Sequence, residues 1–116
     1  MNENAKKWLV ALRSGEYKQG RFDLRVGSNK FCCLGVLCDI SGLGEWVKNA
    51  YLGCTGTLPT EVCNWAGLIA SSPGFHGEGE CDAWHRKTRL TALNDEGMGF
   101  DEIADVIEKY QDQIFA

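Results

Sequence analysis

The sequence predicts one α+β domain, covering residues 1–116, that is mostly helical with a small strand component. A chain of 116 residues suits a single domain and leaves little room for two. Hydrophobic residues make up 44% of it and charged residues 24%, which is the composition of a globular chain with its own core. Apolar residues recur at helical spacing near both ends, whereas polar and apolar residues alternate in one short stretch.

The chain begins with a predicted helix over residues 3–14. Its apolar side chains, Trp8 and Leu12 among them, fall on one face at helical spacing, and charged side chains occupy the other. Asn2 or Asn4 is the candidate N-cap, because an asparagine side chain accepts a hydrogen bond from a free N–H of the first turn.

A short strand and a buried helix are predicted next. Residues 21–26 alternate between polar and apolar side chains, which predicts a short strand. Residues 31–41 form the most apolar stretch of the chain, which suits either a buried strand or a buried helix. A helix is favoured because Cys33, Leu37 and Ile40 share one helical face.

The remainder is predicted as loops between three helices. No regular element is expected at 47–58, and residues 71–82 are predicted as an exposed, glycine-rich loop. Helices are predicted at 58–67, where a proline lies near the first helical position, at 90–95 and at 100–110. The last helix is the clearest, because its apolar residues share a face and two acidic residues lie in its first turn.

Charge is distributed unevenly along the chain. Residues 1–30 hold seven basic and three acidic side chains, a balance of +4, whereas residues 90–116 hold one lysine and seven acidic side chains, a balance of −6. Either the two ends dock on each other or each forms a solvated helix face. The sharper interpretation is a basic patch around Arg21 and Arg25 that binds an anion. The net charge of −4 argues against a protein whose whole surface binds nucleic acid.

Three sequence blocks resemble those of a family of small bacteriophage proteins. The blocks are Trp8-x-x-Ala-Leu-Arg-Ser-Gly-x-Tyr, Phe31-Cys-Cys-Leu-Gly-Val-Leu-Cys-Asp and Leu90-Thr-x-Leu-Asn-Asp-x-Gly-x-x-Phe-x-Glu-Ile-Ala. Small phage accessory proteins often act by binding and neutralising a component of the host. The resemblance therefore implies an accessory protein in the host cytoplasm, whose target is a defence-related nucleotide signal or a defence protein.

An anionic small molecule is one expected ligand. Guanidinium groups form paired hydrogen bonds with phosphate, and aromatic rings stack on nucleobases. The side chains predicted to bind such a ligand are Arg21, Arg25, Trp84, Arg86, Arg89, Asn94 and Asp95, with Phe22 and Trp65 as further stacking candidates. The alternative is that the tryptophans belong to the core, the arginines are surface residues, and Asn94 and Asp95 cap the following turn.

Cys33 is the candidate nucleophile of a second function, a small cysteine hydrolase. A helix dipole lowers the pKa of a thiol at the N-terminus of the helix. The segment from Cys33 is similar to the helix start of papain-like and NlpC/P60 hydrolases, in which a histidine and a polar residue follow along the chain. The corresponding residues are His85 and then Asn94 or Asp95. The favoured alternative is a buried structural thiol between apolar neighbours.

The six cysteines allow two other interpretations, zinc and disulfides. The candidate zinc ligands are Cys32 or Cys33, Cys38, His76, Cys81 and His85, but no Cys-x-x-Cys pair occurs among them. Cys54, Cys63 and Cys81 lie near predicted loops and would pair only in an oxidising compartment. The start of the chain lacks the apolar segment of a secretion signal, so we expect a cytoplasmic protein with free thiols. Neither a metal nor a cofactor is predicted.

Membrane and DNA are not expected partners. No apolar run approaches the roughly 18 residues that a membrane-spanning helix needs. The last sequence block resembles the first half of a helix-turn-helix, but residues 101–116 carry one lysine against five acidic residues and would repel DNA phosphates. The same acidic helix is a candidate surface for a basic partner or for self-association.

Overall fold

The computed structural model of the chain describes residues 1–77 and 87–116, where six helices and seven two-residue strands follow one another. The helices are α1 Glu3–Arg13, α2 Cys33–Ser41, α3 Thr60–Ala66, α4 Leu90–Asp95, α5 Phe100–Lys109 and α6 Gln111–Ile114. The strands are β1 Lys18–Gln19, β2 Arg25–Val26, β3 Lys30–Phe31, β4 Trp46–Val47, β5 Ala50–Tyr51, β6 Gly74–Phe75 and β7 Thr88–Arg89. This architecture confirms the predicted mostly helical α+β class.

The strands form three small, separate sheets. In the three-stranded sheet, β3 lies in the centre, parallel to β1 and antiparallel to β2. Strands β4 and β5 form an antiparallel hairpin, and β6 pairs antiparallel with β7. Each sheet contributes one aromatic side chain to the core, Phe31, Tyr51 and Phe75, and the helices supply most of the rest.

The core lies where α1 packs against α2, α3 and α5. Trp8 on α1 is fully buried, and its indole N–H donates to the carbonyl oxygen of Cys33 at 2.9 Å. At the C-terminal end of α1, the Arg13 guanidinium contacts Asp105, at 2.7 Å, and Glu108 on α5. The basic and acidic ends of the chain therefore dock on each other, as one interpretation of the charge distribution predicted.

Helix α2 approaches the backbone of the neighbouring segment so closely that it needs a glycine. A Cβ at Gly35 would lie 1.8 Å from the carbonyl oxygen of Leu24, a separation that no side chain tolerates. Cys32 caps the helix, since its sulfur accepts a hydrogen bond from the Gly35 N–H, and Gly42 ends it in the left-handed conformation. The Cys-Cys-Leu-Gly block is thus explained by how α2 begins and packs.

The five predicted helices all exist, whereas the non-helical predictions are partly wrong. The strand predicted at 21–26 is confirmed only at its last two residues, because the backbone turns at Phe22. The hairpin β4–β5 begins just before the segment expected to be irregular and extends into it. Strand β6 interrupts the loop predicted at 71–82, whose last five residues lie outside the described part. No helix among residues 1–77 and 87–116 is long and apolar enough to cross a membrane.

Candidate binding surface

Cys33, the candidate nucleophile, is sealed inside the protein. It is the first residue of α2, it is fully buried, and its thiol lies 3.7 Å from the carbonyl oxygen of Leu90. Burial raises the pKa of the Cys33 thiol well above its ordinary value and outweighs the lowering by hydrogen bonds from the helix start. The thiol is therefore protonated and inaccessible at neutral pH, which is the opposite of what a nucleophile needs.

The other cysteines give no support for a metal site within the described residues. Cys32, Cys38 and Cys63 are also buried, and burial raises the pKa of each thiol. The five cysteines of residues 1–77 are free thiols, and the described part of the chain holds no group of three residues able to bind a metal ion. Cys81, His85 and the remaining candidates Trp84 and Arg86 lie outside the described residues.

Asn94, a predicted ligand and catalytic residue, is instead a fully buried connector. Its side-chain oxygen accepts hydrogen bonds from the Gln19 amide at 2.9 Å and from the Cys33 N–H at 3.1 Å. Its side-chain nitrogen donates to the carbonyl oxygen of Gly20 at 2.8 Å. We call these contacts the Asn94 cross-link. They join α4, the start of α2 and the segment after β1, and they occupy both polar atoms of the amide.

Asp95 holds the loop that follows this cross-link. Its carboxylate accepts a hydrogen bond from the backbone N–H of Phe22 at 2.8 Å. The predicted local cap by Asn94 and Asp95 is therefore wrong, because their side chains, apart from a contact with each other at 3.4 Å, bond residues that are 61 to 75 positions away in the chain. The contact with Asp95 also explains why the strand predicted at 21–26 is interrupted at Phe22.

The segments 20–27 and 46–52 are fastened to each other by polar side chains, and we call them the paired segments. The Arg25 guanidinium donates twice to the carbonyl oxygen of Lys48, at the tip of the β4–β5 hairpin, and lies 5.0 Å from the centre of the Trp46 ring. The Asn49 amide donates to the Asp23 carboxylate at 2.8 Å. The two segments therefore form one continuous, ordered surface.

Backbone strain in the described residues is concentrated in the paired segments. Three non-glycine residues of residues 1–77 and 87–116 have positive φ angles, Phe22 at 76°, Lys48 at 56° and Leu52 at 51°. The left-handed conformation is unfavourable for residues with a Cβ, and it persists only where the surroundings impose it. Strain of this kind concentrates at binding sites, so the paired segments are the candidate functional surface.

The paired segments also expose apolar side chains. Phe22 is 75% exposed and Val47 71%, and Val26 and Leu52 are exposed as well. A groove of about 400 Å³ runs between the segments, lined by Asp23, Arg25, Val26, Gly27, Lys48 and Asn49. Arg21 and Lys48 are the exposed charged side chains of the segments, and both are positive. The carboxylates that contact the segments, Asp23, Asp39 and Asp95, accept hydrogen bonds from Asn49, Trp46 and the Phe22 N–H.

The predicted arginine ligands do not converge on one pocket. Arg25 is engaged with the hairpin, as described, and Arg89 donates to the carbonyl oxygen of Ser72 at 2.7 Å. Arg21 is exposed, with a terminal nitrogen beside Gly97, past the C-terminal end of α4, whereas Arg89 directly precedes that helix. Trp65, a stacking candidate, packs against the core. Of the predicted arginines that the structure describes, Arg21 and Arg25 belong to the paired segments and Arg89 does not.

Sequence reasoning missed the contribution of the hairpin. Neither Val47 nor Lys48 was singled out, because a two-residue strand leaves no alternation to detect and Lys48 is not a residue that signals a left-handed turn. Phe22, in contrast, was a predicted stacking residue, and its side chain is exposed.

The chain was compared with known families, curated proteins and solved structures. The family model described as a domain of unknown function, DUF8296, matches residues 1–111, which is nearly the whole chain. No curated protein and no solved structure matches the chain.

Proposed function

The chain belongs to the DUF8296 family, and we propose that it is a binding protein, not an enzyme, that holds a negatively charged component of a bacterial host. Its resemblance to small bacteriophage proteins supports this setting. The proposed role is that of a phage accessory protein which neutralises a defence-related nucleotide signal or a defence protein in the host cytoplasm.

One observation carries the proposal: strain, exposed apolar surface and positive charge coincide in the paired segments. The three left-handed non-glycine residues of the described chain lie there, as do four of its seven exposed large apolar side chains. Folding alone gives no reason to gather these unfavourable features in one place. A surface that binds another molecule does, because that surface must be ordered and exposed before its partner arrives.

Charge supports a negatively charged partner. Lys48 and Arg21 are exposed, and Arg25 is half-buried beside them. The carboxylates in contact with the segments already accept hydrogen bonds from them: Asp23 from Asn49, Asp39 from Trp46 and Asp95 from the Phe22 N–H. The groove has a volume of about 400 Å³, which lies within the size range of small-molecule sites and is consistent with a ligand as small as a nucleotide. Positive charge around a site also raises the rate at which an anionic partner is captured.

The alternative, a papain-like cysteine hydrolase with Cys33 and His85, receives no support from the described geometry. The Cys33 thiol is buried, protonated and directed at a backbone carbonyl. Labelling with iodoacetamide at pH 6 tests this alternative. We expect Cys33 to react more slowly than Cys54, which is partly exposed. If Cys33 were instead labelled faster than the other cysteines, the result would support the hydrolase alternative.

Binding is tested with two probes and one pair of charge variants. Calorimetric titration with a panel of cyclic nucleotides tests small ligands, and affinity purification from the host followed by titration of each purified protein tests protein partners. Lys48→Glu changes the charge of the paired segments, and Lys7→Glu makes the same change on the exposed side of α1. We expect Lys48→Glu to weaken binding about tenfold or more and Lys7→Glu to have little effect.

Two results would contradict the proposal. The first is that no cyclic nucleotide gives heat and no host protein binds the purified chain. The second is that Lys7→Glu and Lys48→Glu weaken binding equally, since the positive charge of the paired segments would then have no special part in it.

A further inference from the structure

We infer that the partner is a protein, and that it takes the Phe22 side chain into an apolar pocket bordered by carboxylates. This inference rests on the proposed binding function and makes it more specific. It assigns to Phe22 the role of the anchor of an interface, with the neighbouring Arg21 facing the acidic border of the pocket.

Phe22 is unfavourable for the fold in two independent ways. Its side chain is 75% exposed, so the ring contributes little to the core. Its φ angle of 76° lies in the left-handed region, which glycine or asparagine adopts with much less strain. A glycine at position 22 would adopt this turn with less strain. We therefore assign the phenyl ring to contact with another molecule.

The backbone on both sides of Phe22 is fixed by hydrogen bonds. The Phe22 N–H donates to the Asp95 carboxylate at 2.8 Å, and the carbonyl oxygen of Gly20 accepts from Asn94 at 2.8 Å. On the other side, the Leu24 N–H donates to the carbonyl oxygen of Thr55 at 2.6 Å. A ring displayed on a fixed backbone loses little conformational entropy on binding, which is the property of an interface anchor.

The position of the ring favours a protein over a small ligand. Small ligands bind in concave sites that enclose most of their surface, and Phe22 is not among the residues that line the groove. An exposed aromatic side chain beside an arginine is instead typical of the residues that dominate protein interfaces. The exposed charges of the paired segments, Arg21 and Lys48, are both positive, and the Asp95 carboxylate beside Phe22 is half-buried and bonded to its N–H, so the complementary surface of the partner carries aspartate or glutamate.

The chain offers a matched control for Phe22. Val10 on α1 is 69% exposed, so it presents an apolar side chain to solvent to nearly the same extent. It has ordinary helical geometry and lies outside the paired segments. An effect that depends only on apolar exposure would appear at both positions, whereas an interface anchor gives an effect at Phe22 alone.

The experiment places the photo-crosslinking amino acid p-benzoylphenylalanine at position 22 or at position 10 of the full chain in host cells. The protein linked at position 22 is identified by mass spectrometry, purified and titrated with the wild-type chain, Phe22→Ala and Val10→Ala. We expect an adduct at position 22 that is absent at position 10. Phe22→Ala should raise Kd about 30-fold, and Val10→Ala should change it less than about threefold.

The outcomes separate this inference from the proposed function. If host proteins give no adduct at position 22 while a cyclic nucleotide binds to both wild type and Phe22→Ala, the inference is overturned and the proposed function stands. The same holds if the adduct is a second copy of this chain, or if a purified host protein binds wild type and Phe22→Ala equally. If neither nucleotide nor host protein binds, both are wrong.

Discussion

The Asn94 cross-link and the paired segments use polar side chains for the same purpose in opposite settings. In the cross-link, the fully buried Asn94 amide is the hydrogen-bond partner of the Gly20 carbonyl oxygen and the Cys33 N–H, at a site without access to water. In the paired segments, Arg25 and Asn49 bond the hairpin to its neighbour at the surface. In both places polar side chains fix the backbone, and in the paired segments this fixed backbone carries exposed apolar side chains, Phe22 and Val47 above all.

The largest effect is expected from removing the amide of the cross-link. In Asn94→Leu, the Cys33 N–H and the carbonyl oxygen of Gly20 lose their partners in a buried site, so we expect a loss of roughly 4 kcal/mol in the free energy of unfolding. Urea denaturation measures it. Asn64→Leu, at an exposed position on α3, is the control and should change stability by less than about 0.5 kcal/mol. Equal effects of the two variants would mean that the cross-link is not a stabilising element.

The second effect concerns the contact between α2 and the paired segments. Gly35→Ala would force α2 away from Leu24, because the new Cβ meets the carbonyl oxygen of that residue at 1.8 Å, and we expect a loss of about 3 kcal/mol. Gly56→Ala is the control, since a Cβ there meets nothing within 4 Å. Thermal or urea unfolding of both variants measures the difference. A Gly35→Ala protein as stable as Gly56→Ala would contradict the close approach.

The third effect is a loss of stability at alkaline pH. Burial raises the pKa of Cys32, Cys33, Cys38 and Cys63 in the folded chain above that of an unfolded thiol, near 8.5. Each contributes stability that is fully present below pH 8.5 and is lost as the pH rises toward the folded pKa, at up to about 1.4 kcal/mol per pH unit. Urea midpoints between pH 7 and pH 10 measure the fall. In Cys33→Ala the urea midpoint should fall less steeply with pH. If it falls as steeply as in the wild type, the Cys33 thiol is not buried.

The helices could be predicted from the sequence because their signals are local. The spacing of apolar residues over one or two turns is enough to place α1, α2 and α5, and Asn2 does cap α1, through a hydrogen bond from the Ala5 N–H to its side-chain oxygen. The hairpin β4–β5 carries no such signal, because its strands have two residues each and are held by Arg25 from a distant segment.

The site was predictable in its composition but not in its arrangement. Arg21, Arg25, Asn94 and Asp95 were singled out as ligands from residue type alone. What the sequence could not show is that three of them direct their polar atoms at backbone groups from 23 to 74 positions away. Because such contacts depend on tertiary packing, no spacing rule separates a residue that binds a ligand from one that orders the loop beside it.

The smallest effect tests the central claim, which is that the paired segments hold Phe22 in a strained conformation for display. Phe22→Ala and Phe22→Gly both remove the ring, and they differ only in the Cβ at a left-handed position. Elsewhere glycine is less stable than alanine by about 0.5–1 kcal/mol. Urea denaturation should instead show Phe22→Gly more stable than Phe22→Ala by about 1 kcal/mol. A Phe22→Ala protein as stable as Phe22→Gly, or more stable, would contradict the account.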